Sequence, residues 1–180
     1  MSPHDCWLAV PAGAAILQSE LLSNVVEIRV NEDTIGAEAG LEFYESVHPL
    51  AIVVSQDCDL DLDFKAREDP RLVRRQIDHV LCCDIDDAQA MRERGQINTT
   101  RWGWVKSYQD ERYHVLPGLL GGMLGVDFRR VFAIPTVELY RRIEIGEAVR
   151  LCYLSPIYRD HLSNRFYGYH MRVALEEQSS

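Results

Sequence analysis

The chain has 180 residues, a formal charge of −9, 47% hydrophobic residues and 26% charged residues. A chain of this length buries roughly 70% of its unfolded surface, so residues 1–180 are expected to form a single domain. No run approaches the ~20 apolar residues of a membrane-spanning helix, and the acidic balance excludes the broad basic footprint of a non-specific nucleic-acid binder.

The N-terminal residues, Met-Ser-Pro-His-Asp-Cys-Trp, carry no cationic region and no apolar signal core. A cytoplasmic protein with no membrane association is expected. Residues 25–30 are apolar and β-branched and predict a strand. The acidic, glycine-containing stretch 31–40 predicts a loop. Residues 50–55 form a short, continuous apolar run that predicts a buried strand. Residues 77–85 predict another, with Cys82 and Cys83 pointing to opposite faces as small core residues. Asp86, with Gln89 three residues on and Gly95 as a stop, predicts a helix.

Residues 112–116 predict a strand ending at Pro117, and the glycine-rich stretch 118–125 a loop. Residues 126–134 predict a strand ending before Pro135, and Thr136 the cap of a short helix through Arg142. Residues 149–154 predict the last strand. Ser155 and Pro156 start a C-terminal helix, with Tyr158, Leu162, Arg165, Phe166 and Tyr169 on one stripe. Short strands without a repeating βαβ pattern predict an α+β fold. It is built on a small antiparallel β-barrel with peripheral helices, including the C-terminal one.

The five cysteines are odd in number and irregularly spaced, with no Cys-x-x-Cys pair. A disulfide framework or zinc ribbon is therefore not expected. The most unusual segment is Ser55-Gln56-Asp57-Cys58-Asp59-Leu60-Asp61-Leu62-Asp63-Phe64. If it is extended, its four aspartates share one face and repel one another. Three readings follow.

The first is an exposed acidic edge that discourages strand pairing. The second is a cation site. The carboxylates of Asp57, Asp59, Asp61, Asp63 and Glu68 have calcium-loop spacing, but Leu62 stands where the turn needs glycine. Asp57 and Asp59 are then candidates for Mg²⁺ rather than for an EF-hand. The third is a site at the strand end formed by Ser55, Gln56, Asp57, Cys58 and Asp59. The carboxylates beside Cys58 disfavour a thiolate, so Cys58 is expected to be a small buried packing residue.

His114 is the first candidate general acid or base and His48 the second. Arg112, two residues from His114, is expected on the same strand face and is suited to a carboxylate or phosphate. Arg101, Trp102, Trp104, Lys106 and Tyr108 mix bases with aromatics, as stacking platforms for single-stranded nucleic acid do. The competing reading is two tryptophans anchoring a loop in the core. The paired arginines at 74–75, 129–130 and 141–142 could supply a local basic groove, against the competing reading of solvated surface.

Residues 53–60, Val-Val-Ser-Gln-Asp-Cys-Asp-Leu, resemble the Ser-Gln-x-Cys-Asp-Leu signature of a poorly characterised set of bacterial proteins. Glu-Arg-Tyr-His at 111–114, Val-Asp-Phe-Arg-Arg at 126–130 and the stretch from Tyr153 to Phe166 are also similar to that set. Residues 48–55, His-Pro-Leu-Ala-Ile-Val-Val-Ser, resemble a strand of the PemK/MazF-like toxins, small β-barrels that cleave RNA. His48 stands where those proteins carry an arginine.

These resemblances imply an SH3- or PemK-like barrel and an accessory bacterial protein that binds a protein partner in a toxin-type or phage-defence setting. A second expectation is a metal-assisted or His-dependent endoribonuclease using Asp57, Asp59, Arg112 and His114, with RNA as its partner. A third is an acidic nucleic-acid mimic. The binding candidates are His48, Ser55, Gln56 and Cys58.

Overall fold

The structure, a computed structural model, describes residues 6–36, 40–119 and 121–171. Strands β1 (Trp7–Leu8), β2 (Glu20–Val30), β3 (Phe43–Val53), β4 (His79–Asp87), β5 (Tyr113–Pro117), β6 (Met123–Pro135) and β7 (Val149–Leu154) form one sheet in the order β1-β7-β2-β3-β4-β6-β5. Every neighbouring pair is antiparallel. The indole Nε1 of Trp7 in β1 donates to the carbonyl of Pro117 in β5 at 2.7 Å. The two edge strands thus approach each other, and the sheet curls into a half-barrel that remains open. The expected α+β mixture of antiparallel strands and peripheral helices, including the C-terminal one, is present, and the expected small barrel takes the form of this curled half-barrel.

Among the described residues, five α-helices cover the sheet: α1 (Asp57–Glu68), α2 (Ala88–Glu93), α3 (Thr99–Lys106), α4 (Thr136–Glu144) and α5 (Pro156–His170). Helix α5 inserts Leu162 and Phe166 among Leu21, Ile52, Cys83 and Phe128, which fills the inner face of the curl. Burying each of these two side chains contributes about 2–3 kcal/mol. The opposite face is covered by Leu60 of α1 and Leu139 of α4, packed on Leu22, Val53, Cys82 and Ile134. Cys82 and Cys83 do point to opposite faces. Burial pushes both thiols up, so they act as packing groups.

Four local expectations are corrected. The acidic segment after Ser55 is not extended but helical. Gln56 occupies the cap position, Asp57 and Asp59 lie in the first turn, and Lys65 and Arg67 in the last. That charge order suits the helix dipole. Two ion pairs one turn apart, Asp61–Lys65 at 2.5 Å and Asp63–Arg67 at 2.7 Å, neutralise half the row. Cys58 is exposed rather than buried, because on a helix it falls outside the stripe of Leu60, Asp63 and Ala66 that faces the sheet. Helix α2 starts later than expected, since β4 continues to Asp87, whose carboxylate caps Ala90 N. Thr136 does not cap α4: Pro135 holds the cap position and the Thr136 hydroxyl is buried without a partner.

The longest unanticipated feature is an arm. Strand β2 pairs with β7 only from Glu20 to Ser23, and β3 pairs with β4 only from Ala51 to Val53. Beyond those points, residues 25–30 and 43–48 pair with each other alone, among the described residues. Asn24, in the left-handed region (φ 55°), sits where the arm leaves the sheet.

Candidate functional site

The candidate residues from the sequence are dispersed into three places. The first surrounds the start of α1. Val54 N donates to the Leu81 carbonyl, and Leu81 N donates to Ser55 Oγ at 2.8 Å. These bonds tie the motif to β4 before the helix begins. Asp57 accepts from Gln18 N at 2.6 Å and pairs with Arg159 of α5 at 2.8 Å. Gln56, Asp57 and Cys58 line a shallow depression of about 510 Å³ with Arg159, Ser163 and Tyr167. A neighbouring depression of about 300 Å³ adds Ser55, Asp59 and His79.

Ser55 and Asp57 therefore anchor the motif, while Gln56, Cys58 and Asp59 face solvent. Asp57, the expected Mg²⁺ ligand, is already engaged by a guanidinium and an amide. Among the described residues no group of three His, Cys, Asp or Glu side chains is placed to hold a metal ion.

The second place holds Arg112 and His114, which form no joint polar site. Arg112 makes a two-pronged pair with buried Asp127, through Nε to Oδ1 at 2.8 Å and through Nη2 to Oδ2. His114 is 1% exposed and neither ring nitrogen has a partner. Its ring packs against Tyr108, Phe128 and His161. Burial, reinforced by His161 and Arg165, lowers its pKa to about 3. It is a neutral core ring at physiological pH. The depressions lined by Asp57 or Asp59 contain neither Arg112 nor His114.

The third place is a cleft at the foot of the arm. Pro49 has no N–H to offer β4, and β3 separates from β4 beyond the Ala51–Asp84 pair. His48 lies in the gap, 5% exposed and stacked on Phe132 with ring centroids 3.7 Å apart. Its Nδ1 meets Asp84 and its Nε2 meets Glu27 at 3.1 Å. Glu27 also accepts from Arg29 at 2.7 Å, and Asp84 pairs with Arg130 at 2.6 Å. A chain of alternating polarity, Arg29–Glu27–His48–Asp84–Arg130, thus replaces the missing backbone ladder. The cleft encloses about 250 Å³. Of this group the sequence pointed to His48 and, through the arginine pair at 129–130, to Arg130. Arg29, Asp84 and Arg130 come from three strands far apart in the chain, and the first two carry no local motif.

Residues 99–106 form α3 rather than a loop platform. Trp102 packs on the small cluster of Met91, Ile97 and Val105, and Trp104 is exposed. Arg101 is committed to Asp110 at 2.5 Å. No helix among the described residues is long and apolar enough to cross a membrane.

The arm is the other conspicuous surface. Directly opposed residues share a face. The pairs Val26–Val47, Ile28–Glu45 and Val30–Phe43 lie on one side, and Val25–His48, Glu27–Ser46 and Arg29–Tyr44 on the other. On the first side Ile28 is 47%, Phe43 63% and Val47 58% exposed. Ile35 and Leu41 extend the apolar surface towards the tip.

Compared with known proteins, the chain matches no family model, and no curated protein or solved structure is significantly similar to it.

Proposed function

We propose that this protein works by binding another polypeptide, which adds a strand to the β2–β3 arm. The observation that carries this reading is the combination of two unpaired strand edges with an exposed apolar face on one projecting ribbon. Unpaired edges present a row of backbone donors and acceptors that an incoming strand satisfies. The apolar side chains supply the burial that makes such pairing specific. A two-stranded ribbon is marginal in water by itself, so a third strand stabilises it as well as binding to it.

The partner's chemistry follows from the arm. It is an extended segment with apolar residues at alternate positions, which cover Ile28, Val30 and Phe43. An accessory role in a bacterial toxin-type or phage-defence system is an expectation of the resemblance alone. The same holds for a PemK-type lineage. The ribonuclease reading loses its main support, since Asp57 and Asp59 are not gathered with Arg112 and His114. The mimic reading loses its own because Asp57, Asp61 and Asp63 are each paired with a cation.

Selection of displayed extended peptides tests the proposal. Wild-type protein is expected to enrich alternating apolar sequences, and Ile28→Asp with Phe43→Asp to weaken the selected peptides at least tenfold while the melting temperature stays within a few degrees. Peptides that bind the doubly substituted protein as tightly as wild type would show that the arm is not the docking element. Self-association of the purified chain, lost in the same variant, would identify the incoming strand as a second copy.

A further inference from the structure

We infer that the cleft at the foot of the arm binds a phosphate group carried on a small molecule, through Arg29, Arg94 and Arg130. This site adjoins the apolar face of the arm at Val47, but its arginines lie elsewhere, and it stands whether or not a strand adds there. In a chain of net charge −9, three guanidiniums from β2, the turn after α2 and β6 line one cleft of about 250 Å³. The acidic groups are Asp84 and Asp86 on the lining and Glu27 behind Arg29, one carboxylate to each guanidinium, so the case for a phosphate rests on the donors that those pairs leave unused.

The manner of pairing separates these arginines from the structural ones. Arg67 grips Asp63, Arg112 grips Asp127 and Arg150 grips Glu20 with two nitrogens each, and all three carboxylates are buried. In the cleft Arg29 meets Glu27 and Arg94 meets Asp86 through a single nitrogen each, and Arg130 forms an ion pair with Asp84 at 2.6 Å. Their side chains are 44%, 49% and 55% exposed. A guanidinium has five N–H donors in a rigid fork that fits phosphate oxygens. One contact to a carboxylate orients the fork and leaves most of its donors for a ligand. Asp84 is itself fixed by His48, which is held in turn by Glu27 and the Phe132 ring. Asp84 and Glu27 are thus fixed, Asp86 accepts from Asp87 N, and the guanidinium donors in front of them are not used up. Ser46 and Gln96 on the lining add neutral donors. The volume suits a phosphate with a sugar-sized group attached rather than a polymer.

Isothermal titration at low ionic strength, with pyrophosphate and adenosine 5′-monophosphate as separate probes, tests the inference. Wild-type protein should bind at least one probe saturably at one site per chain. The Arg94→Ala, Arg130→Ala double variant should lose at least tenfold in affinity. Arg130→Lys, which keeps the charge but not the fork, should lose at least threefold, and it covers the case in which the double variant does not fold. Arg71→Ala removes a positive charge at a remote surface position paired only within its own turn, and should leave binding unchanged. Tighter binding of the nucleotide than of pyrophosphate would assign a phosphate ester as the ligand. Equal binding of both would assign the phosphate alone. The absence of saturable binding of either probe, or an equal loss in Arg71→Ala, would overturn the site.

Discussion

Two buried histidines illustrate how surroundings decide what a residue does. His48 is flanked by carboxylates on both ring nitrogens and works as a clasp between β3 and β4. His114 is surrounded by aromatic rings, with His161 and Arg165 nearby, and has no polar partner. The charged groups facing it are both cationic or potentially so, and burial adds to their effect, which is why its pKa falls to about 3.

The unfolded chain binds a proton at this position near the ordinary histidine value of about 6.5, whereas the folded chain resists protonation down to about 3. His114 thus contributes its full stability above the unfolded value, and the contribution is lost progressively as pH falls between the two. His161 is shifted in the same direction, by burial first and Arg165 second. Replacing His114 with phenylalanine keeps the ring packing and removes the titration. Thermal melts from pH 7 to pH 4 should show a flatter acid limb for His114→Phe, with a few kcal/mol of pH-dependent destabilisation removed. A limb as steep as that of wild type would mean that other groups control the acid response.

Arg112, named by the sequence as a candidate for carboxylate or phosphate, does meet a carboxylate, but an internal one. Asp127 is 4% exposed and its other partner is Arg129 N at 3.1 Å. Removing the guanidinium leaves a buried charge uncompensated. Chemical denaturation of Arg112→Ala should show about 3–5 kcal/mol lost, with the Arg112→Ala, Asp127→Ala pair recovering part of it. A loss below about 1 kcal/mol would make the pair a solvated one.

Among the elements, the buried strands were the most legible. The runs at 50–53 and 80–85 are dense in branched and apolar residues because residues of both faces enter the core, and the run at 149–154 buries Cys152 and Leu154 while Val149 and Leu151 stay exposed. Helix α1 was hidden by its own composition. Aspartate at every second position imitates a strand, yet the helix is set by features three and four residues apart: Asp61 with Lys65, Asp63 with Arg67, and Leu60, Asp63 and Ala66 as its inward stripe. Asp63 is fully buried and also accepts from Ile77 N at 2.9 Å, which ties α1 to the segment before β4. Asp63→Ala should therefore cost about 3–5 kcal/mol in denaturant melts. Asp61→Ala, one turn away from a solvated lysine, should cost less than about 0.5 kcal/mol. Equal costs would refute the assignment of the helix's inward face.

Half of the arm, residues 25–30, was legible as a strand, and the other half was not. Residues 43–48, Phe-Tyr-Glu-Ser-Val-His, carry apolar and polar groups on both faces, because His48 alone among them is buried. The site was legible only where a local motif existed, at Ser55 to Asp59 and at His48-Pro49. The arginines of the cleft become neighbours only through the antiparallel pairing of β2, β3, β4 and β6.

At the scale of the whole molecule, the sheet curls far enough for Trp7 to reach Pro117 but does not close, and α5 occupies the space that further strands would otherwise fill. That arrangement ties the N-terminal edge strand to the opposite edge by one part-buried hydrogen bond. Trp7→Phe keeps most of the apolar surface and deletes the donor, so it should cost about 1 kcal/mol, with faster amide exchange in β1 and β5 than in β4 and β6. Uniform exchange across all four strands would mean that the contact does not hold the edges together.

The same curl leaves the outer part of the β2–β3 arm projecting from the packed body: its foot, Val25, Val26 and His48, is buried, and the residues beyond it carry the open strand edges and the exposed Ile28, Phe43 and Tyr44. Amide hydrogen exchange in the absence and presence of a selected peptide tests strand addition at this arm most directly. In the free protein, the amides of residues 25–30 and 43–48 should exchange much faster than those of β4 and β6. On binding, a subset of the arm amides should slow at least tenfold while the central strands stay unchanged. Protection confined to the depression around Asp57 and Tyr167, or no change in the arm, would contradict it.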